Sequence, residues 1–258
     1  MAARHTTVSW GEQPLAKSFN SILMGAAGTG VADGPIVTDQ LYWHVDAANS
    51  SSYSGSGTTW TDLINSQNAT LVNTPTYSSS SANGGGAFFF NGTDEYATTS
   101  FNTNYDAFSV SAWIKPSDQP QSNDQHAIVN AFESNSSEWW SLSTVNTGRG
   151  KPSWIIDNNS SKIDLVGDNE SPDSWQMLTG TRSGATMKLY LNTSALKTST
   201  SLNGSTILGV EPFYIASRST GYGEQYKGYI SDIKVYRKAL SSSEVTQNYN
   251  ALKDRYGL

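Results

Sequence analysis

The stretch FSVSAWIKP (108–116) decides the fold. Phe108, Val110, Ala112 and Ile114 fall on one side of an extended chain, and Ser109, Ser111, Trp113 and Lys115 on the other. That period of two marks a strand with one face in an apolar core. Far downstream, YKGYISDIKVYRKALSSSE (226–244) supplies a second strand through Ile230, Ile233 and Val235 and turns at once into a helix. Such segments at opposite ends of one domain predict that the beginning and end of the body pair in the same sheets. The expectation is a closed β-sandwich, an architecture more often used to bind than to catalyse.

Outward from these two anchors, turn signals recur from residue 41 onward. LYWHVDA (41–47) begins a strand, and SYSGSGTTWTDL (52–63) is a Gly/Ser loop that carries Trp60 inward. In GGGAFFFNGTDEYATT (84–99) an apolar strand ends in Asn91-Gly92, a pair that tolerates positive φ and suits a tight reversal. Further strands are expected at 126–132, 138–145, 152–157, 162–167, 174–182, 187–192 and 212–217, roughly a dozen in all. No repeat with a fixed period of about 20–50 residues is visible, which excludes a propeller or solenoid. One helix follows Leu240, opened by the capping box Ser241 and Glu244. Val245, Tyr249, Leu252 and Tyr256 share one of its faces and Gly257 stops it, so it should lie along the outside of the sandwich.

Composition narrows the function classes. The 258 residues are 36% hydrophobic, 11% aromatic and only 15% charged, which argues for a folded body of short strands and polar turns. There is no cysteine, so disulfides, thiolate metal sites and cysteine catalysis are excluded. Sixteen basic and 22 acidic residues give a net charge of −6 without a basic run, which speaks against nucleic-acid partners. No apolar stretch approaches the roughly 18–20 residues that span a bilayer. FNSILMGAAG (19–28) is broken by Asn20 and Ser21 and preceded by Glu12 and Pro14, so a secretion leader is not expected.

Residues 1–40 form an extended arm ahead of the body at 41–258. The arm has no sustained period, yet it holds Trp10, Phe19, Ile22, Leu23 and Met24. Large apolar side chains on a free tail invite aggregation, so the expectation is an arm that orders against a partner.

The order DAANSSSYSGSGTTWTDL, AFFFNGTDEYATT, FSVSAWIKP, SWQMLTGTR, MKLYLN, FYIASR and YKGYISDIKVYRKALSSSEV resembles the laminin G-like jelly rolls of the concanavalin A-like lectin superfamily, over about 42–252. The resemblance implies an all-β, two-sheet antiparallel jelly roll that binds or displays, with carbohydrate or protein ligands depending on the member. Domains of this family often hold a calcium ion at the sandwich rim, for which Asp94, Glu95 and Asp232 are the candidates; Asn91 stands where the family commonly has Asp, so the expectation is turn-forming acids in solvent and no required cofactor. Because this variant resembles domains found on bacteriophage virions, the implied role is a non-enzymatic virion display protein. Such a protein would be a capsid decoration or a tail or neck fibre component, held at the virion surface by its arm. The expected partners are other virion proteins and further copies of the chain, a trimer being a natural assembly, with weak host-glycan adhesion. The alternative is a carbohydrate-binding lectin module in adhesion not tied to a virion.

Catalytic patterns fail. His5, His44 and His126 form no metal-binding pair, and the Glu-x-Asp-x-x-Glu strand of jelly-roll glycosidases is absent, Glu133 and Glu138 lying too far apart. YKGYI (226–230) resembles one lyase strand, but the required Arg-rich strand and Gln-x-His pair are missing. The ligand-binding candidates are aromatic: Trp139, Trp140, Trp154 and Tyr222. Adjacent Trp139 and Trp140 must face opposite ways in a regular strand. One then either stacks on a ligand or joins a separate hydrophobic layer.

Overall fold

A computed structural model of the chain describes residues 34–83, 85–100, 105–119, 125–132, 138–146, 148–203, 212–219 and 224–258. Its strands are β1 (Leu41–Asp46), β2 (Thr59–Trp60), β3 (Ala69–Val72), β4 (Thr76–Ala82), β5 (Gly85–Asn91), β6 (Tyr96–Thr99), β7 (Ala107–Pro116) and β8 (Gln125–Ala131). They continue with β9 (Glu138–Val145), β10 (Lys151–Asn158), β11 (Lys162–Val166), β12 (Gln176–Ser183), β13 (Thr186–Leu191), β14 (Ser194–Ser199), β15 (Phe213–Ile215) and β16 (Lys227–Tyr236). Helix α1 (Ser242–Asn250) and a single 3-10 turn (Lys253–Tyr256) close the chain.

The strands form two eight-stranded antiparallel sheets. The first runs β14-β13-β12-β7-β16-β5-β4, with β1 also paired to β16, and the second runs β11-β10-β9-β8-β15-β6-β3-β2. The expected pairing of early and late segments is the centre of the first sheet. One edge of β16 pairs with β7, from Gly228↔Pro116 to Tyr236↔Ser109. Its other edge pairs with β5 over Lys227–Ile230 and with β1 from Asp232 onward.

Alternation sorts the side chains as the sequence predicted. Phe108, Val110, Ala112 and Ile114 enter the core between the sheets with Trp43, Val45, Phe88, Trp140, Trp154, Ile230, Ile233 and Val235. Trp60 also arrives there, fully buried. Trp113 points the other way and starts a second apolar layer on the outer face of the first sheet, with Trp175, Met177, Tyr236, Leu240, Val245 and Tyr256. The C-terminal helix covers that face as expected. Ser241 caps Glu244 N and the Glu244 carboxylate returns to Ser241 N. Helix α1 itself stops at Asn250, and Tyr256 reaches Trp113 from the 3-10 turn, stacked at 4.1 Å with the rings 17° apart.

The expected arm, with Trp10, Phe19, Ile22, Leu23 and Met24, lies outside the described residues up to its last part, 34–40. That part belongs to the body. Val37 N donates to Asn248 Oδ1 at 2.8 Å and Val37 O accepts from Tyr236 Oη at 3.1 Å. The Pro35 and Gln40 carbonyls accept from Gln247 Nε2 and Arg237 N. Strands β2, β3, β4 and β14 fall where no strand was expected from the sequence. In TYSSSSA and SALKTS most side chains stay at least partly exposed, so no apolar period reveals the strand.

Gly180 on β12 lies flat against the Trp154 indole, where an added Cβ would collide with the ring. Gly180→Ala is expected to cost about 1–3 kcal/mol through overpacking, visible as a lower urea midpoint with an unchanged slope.

Candidate functional site

The two outer faces of the sandwich differ in chemistry. On the first sheet, below the C-terminal turn, ionisable side chains sit in a ladder. Asp46 on β1 is directly opposite Asp232 on β16, and His44 directly opposite Lys234. The two carboxylates face each other across the strands, and the compensation is diagonal. His44 Nε2 lies 2.7 Å from Asp232 Oδ2, and Lys234 Nζ binds Asp232 Oδ1. Arg255, from the 3-10 turn, contacts both Asp46 oxygens at 2.9 Å. Burial alone would push the Asp232 carboxyl up; Lys234 and His44 overcome it and hold the group well below the usual carboxylate range.

His44, Asp46 and Asp232 offer ligand atoms within 4.8 Å of one another, the geometry of a cation site. Two internal cations already occupy the charge role there: the Lys234 ammonium and the Arg255 guanidinium. The three acids named as calcium candidates do not converge among the described residues. Asp232 belongs to this ladder, whereas Glu95 caps Asn91 N at 2.8 Å and Asp94 accepts from Asn91 Nδ2 at 2.8 Å within the turn.

The outer face of the second sheet is built differently. Cross-strand partners give one continuous outward row: Thr70, Thr98, Tyr214, Asn130, Ser141, Ile155 and Asp164. The inward neighbours of these residues, such as Leu71, Ala97, Phe213, Ala131, Leu142 and Ile156, are core side chains, which fixes the row on the outside. Ser143 and Ser153 continue this polar floor, their hydroxyls 2.7 Å apart. Tyr214 and Tyr96 stand on one side of the floor, half-buried, with ring centroids 6.3 Å apart. On the other side Phe132, Trp139 and Ile155 form a small apolar cluster. Arg218 lies over it, 4.0 Å from the Phe132 centroid and 5.2 Å from that of Trp139, and pairs with Glu224 at 2.6 Å. The Asn130 amide donates to the Arg218 carbonyl at 2.7 Å. Asn130 Oδ1 and Ser141 Oγ are buried without a hydrogen-bond partner. They are two of several such buried polar atoms among the described residues, and the outward polar row that contains them is the candidate site.

The aromatic candidates from the sequence fare unequally. Trp139 and Trp140 do face opposite ways, in separate layers. Trp140 and Trp154 are corrected as ligand-stacking residues. They are 1% and 0% exposed and pack on each other at 5.7 Å inside the core, so neither offers a ring face. Trp139 lies on the candidate face, but Arg218 and Lys162 sit over its ring. Tyr222 lies outside the described residues. The alternation of EWWSLSTV, which sets Ser141 and Ser143 beside Trp139, was the available signal for the floor.

This arrangement, a two-sheet jelly roll with one face sealed and the other polar, defines a lectin-type sandwich. The chain belongs to the concanavalin A-like lectin/glucanase superfamily, whose Laminin_G_3 family model matches residues 90–246. Among solved structures it is similar to domain 4 of AbnA, a GH43 extracellular arabinanase from Geobacillus stearothermophilus, in complex with arabinotriose. That match has 19% identity and a TM-score of 0.63, and covers 81% of this chain and 98% of that one. The binding domain of Paraclostridial Mosquitocidal Protein 1 matches with 16% identity and a TM-score of 0.66, over 82% of this chain and 52% of that one. The botulinum neurotoxin serotype D binding domain matches with 20% identity and a TM-score of 0.59, over 82% and 50%. At these identities the likeness is one of fold. No curated protein matches the sequence.

Two outcomes follow for the ion ladder. A carboxyl held low in the folded chain, but near about 3.9 in the unfolded one, lends stability that is complete at neutral pH. That stability drains away as the pH falls below about 4, so Tm should drop steeply between neutral pH and pH about 3, less so in Asp232→Asn. Chelation with EDTA is expected to leave Tm unchanged, because Lys234 and Arg255 already neutralise the carboxylates.

Proposed function

We propose that the chain is a non-catalytic glycan-binding display module, carried on a virion by its N-terminal arm. The observation that supports glycan binding is the polar outer row of the second sheet, in which Thr70, Thr98 and Tyr214 keep exposed or half-buried side chains. Amide, hydroxyl and aromatic groups bind sugar hydroxyls and ring faces. They neither attack a glycosidic bond nor protonate it, which takes paired carboxylates. The arabinotriose complex of the arabinanase domain is in keeping with this reading.

Display draws support from the other face. Residues 34–40, which follow the arm, pack against α1 on the outer side of the first sheet. Attachment at that side leaves the second sheet's floor pointing away. Several copies on one particle, a homotrimer for example, would offset weak single-site affinity by avidity.

The test compares the intact chain with truncations at residues 33 and 40. Removing 1–33 should leave Tm and glycan-array binding intact and abolish co-sedimentation of the tagged chain with virions. Removing 1–40 should also lower Tm, because the Val37 and Gln40 hydrogen bonds go with it. Full incorporation without residues 1–33 sinks the anchoring role, and failure of the intact chain to bind any glycan sinks the lectin role.

A further inference from the structure

Just past β16 the chain keeps its alternation. Val235 lies in the core, Tyr236 in the outer layer under α1, and Arg237 returns to the core side at one end of the sandwich. There its guanidinium lies over two rings, 3.3 Å from the Tyr42 centroid and 4.7 Å from that of Tyr105. Both tyrosines are half-buried, pack against the core and meet each other edge to face at 6.2 Å. The Arg237 backbone N–H donates to the Gln40 carbonyl. An arginine fixed at its backbone and at its ring face has little freedom left to lose on binding.

Arg237 is nevertheless exposed, and among the described residues no carboxylate pairs with it. The acids on neighbouring segments are committed elsewhere. Asp39 and Glu244 hold Lys238, at 2.7 and 2.6 Å. Asp62 accepts from the backbone N–H groups of His44, Ile64, Asn65 and Gln67. With the flat face of the guanidinium turned to the rings, its fork of N–H donors meets solvent. That fork fits an oxyanion through two parallel hydrogen bonds.

A second polar group stands across β1. Arg237 lies on the edge of β1 shared with β16, and the 62–65 loop on the other, where Leu63 N donates to His44 O. Asn65 of this loop is exposed, and its Nδ2 donates to the Tyr42 carbonyl, which only the NH2 end of an amide can do. Oδ1 is left as an acceptor for a hydroxyl. Two strand spacings, roughly 10 Å, separate the loop from Arg237, the span of one or two sugar rings. An anion at one end and a hydroxyl at the other describe an acidic saccharide.

We infer that this rim is a second binding site, which takes an acidic saccharide. The carboxylate of a uronate or sialate, or a sulfate ester, sits on the Arg237 fork, and a hydroxyl of the same saccharide on Asn65 Oδ1. The site lies apart from the polar row of the second sheet and borrows from the proposed function only that the ligand is a sugar.

The experiment presents the intact chain and Arg237→Gln, at low ionic strength, to three sets of immobilised oligosaccharides. These are uronate- and sialate-bearing glycans, the same glycans with each carboxylate converted to a neutral amide, and sulfated ones. The Tm of each protein is recorded alongside. The intact chain should bind an acidic set roughly threefold to fivefold better than the amide set, the worth of an ion pair at a surface. The preference should fade in about 1 M salt. Whichever acidic set leads identifies the oxyanion. Arg237→Gln should bring acidic binding down to the amide level and leave amide binding unchanged. An arginine that merely covers Tyr42 would lower Tm in the variant and leave the ratio of acidic to amide binding as it was. That ratio does not depend on the fraction folded, and its constancy overturns the inference. So does equal binding of all three sets by the intact chain, a result under which the proposed glycan role survives. Binding to none of them ends both readings.

Discussion

The structure depends on the two-sided burial of β16. One face of this strand puts Ile230, Ile233 and Val235 into the core; the other puts Asp232, Lys234 and Tyr236 under the C-terminal segment. Its register is shared by β7 on one edge and by β5 and β1 on the other, with an irregularity between Ile230 and Asp232 where the pairing passes from β5 to β1. A slip by one residue would drive the Asp232 and Lys234 charges into hydrocarbon and the isoleucines out of it. The ion ladder therefore acts as a registry device as much as an attraction. Arg255 on Asp46 extends it to the closing turn.

This arrangement makes the two faces unequal. The first sheet buries its outer surface twice over, under aromatic stacking of Trp113 with Tyr249 and Tyr256 and under the charged ladder. The second sheet keeps short polar side chains along the centre of its outer row. The two outer faces are free to differ in this way because the core lies between the sheets.

Arg218 ties the second face together. Its carbonyl orients Asn130, its guanidinium lies over Phe132 and Trp139, and its charge is held by Glu224. The aromatic ring that looked most available for stacking is therefore covered by cations.

The sequence by itself determined the sandwich, the closing helix with its cap, and the opposite facing of Trp139 and Trp140. Each of these rests on local periodicity or on contacts a few residues apart, in FSVSAWIKP, EWWSLSTV and the Ser241–Glu244 box. It did not disclose the edge strands TYSSSSA and SALKTS, whose exposed side chains leave no apolar rhythm. Nor did it show where the body begins, because Val37 is fixed by Tyr236 and Asn248 from the far end of the chain. Only the tertiary structure placed Asn130, Ser141 and Tyr214 side by side. They lie on three strands, β8, β9 and β15, and their neighbourhood is a matter of inter-strand register, which sequence separation does not encode.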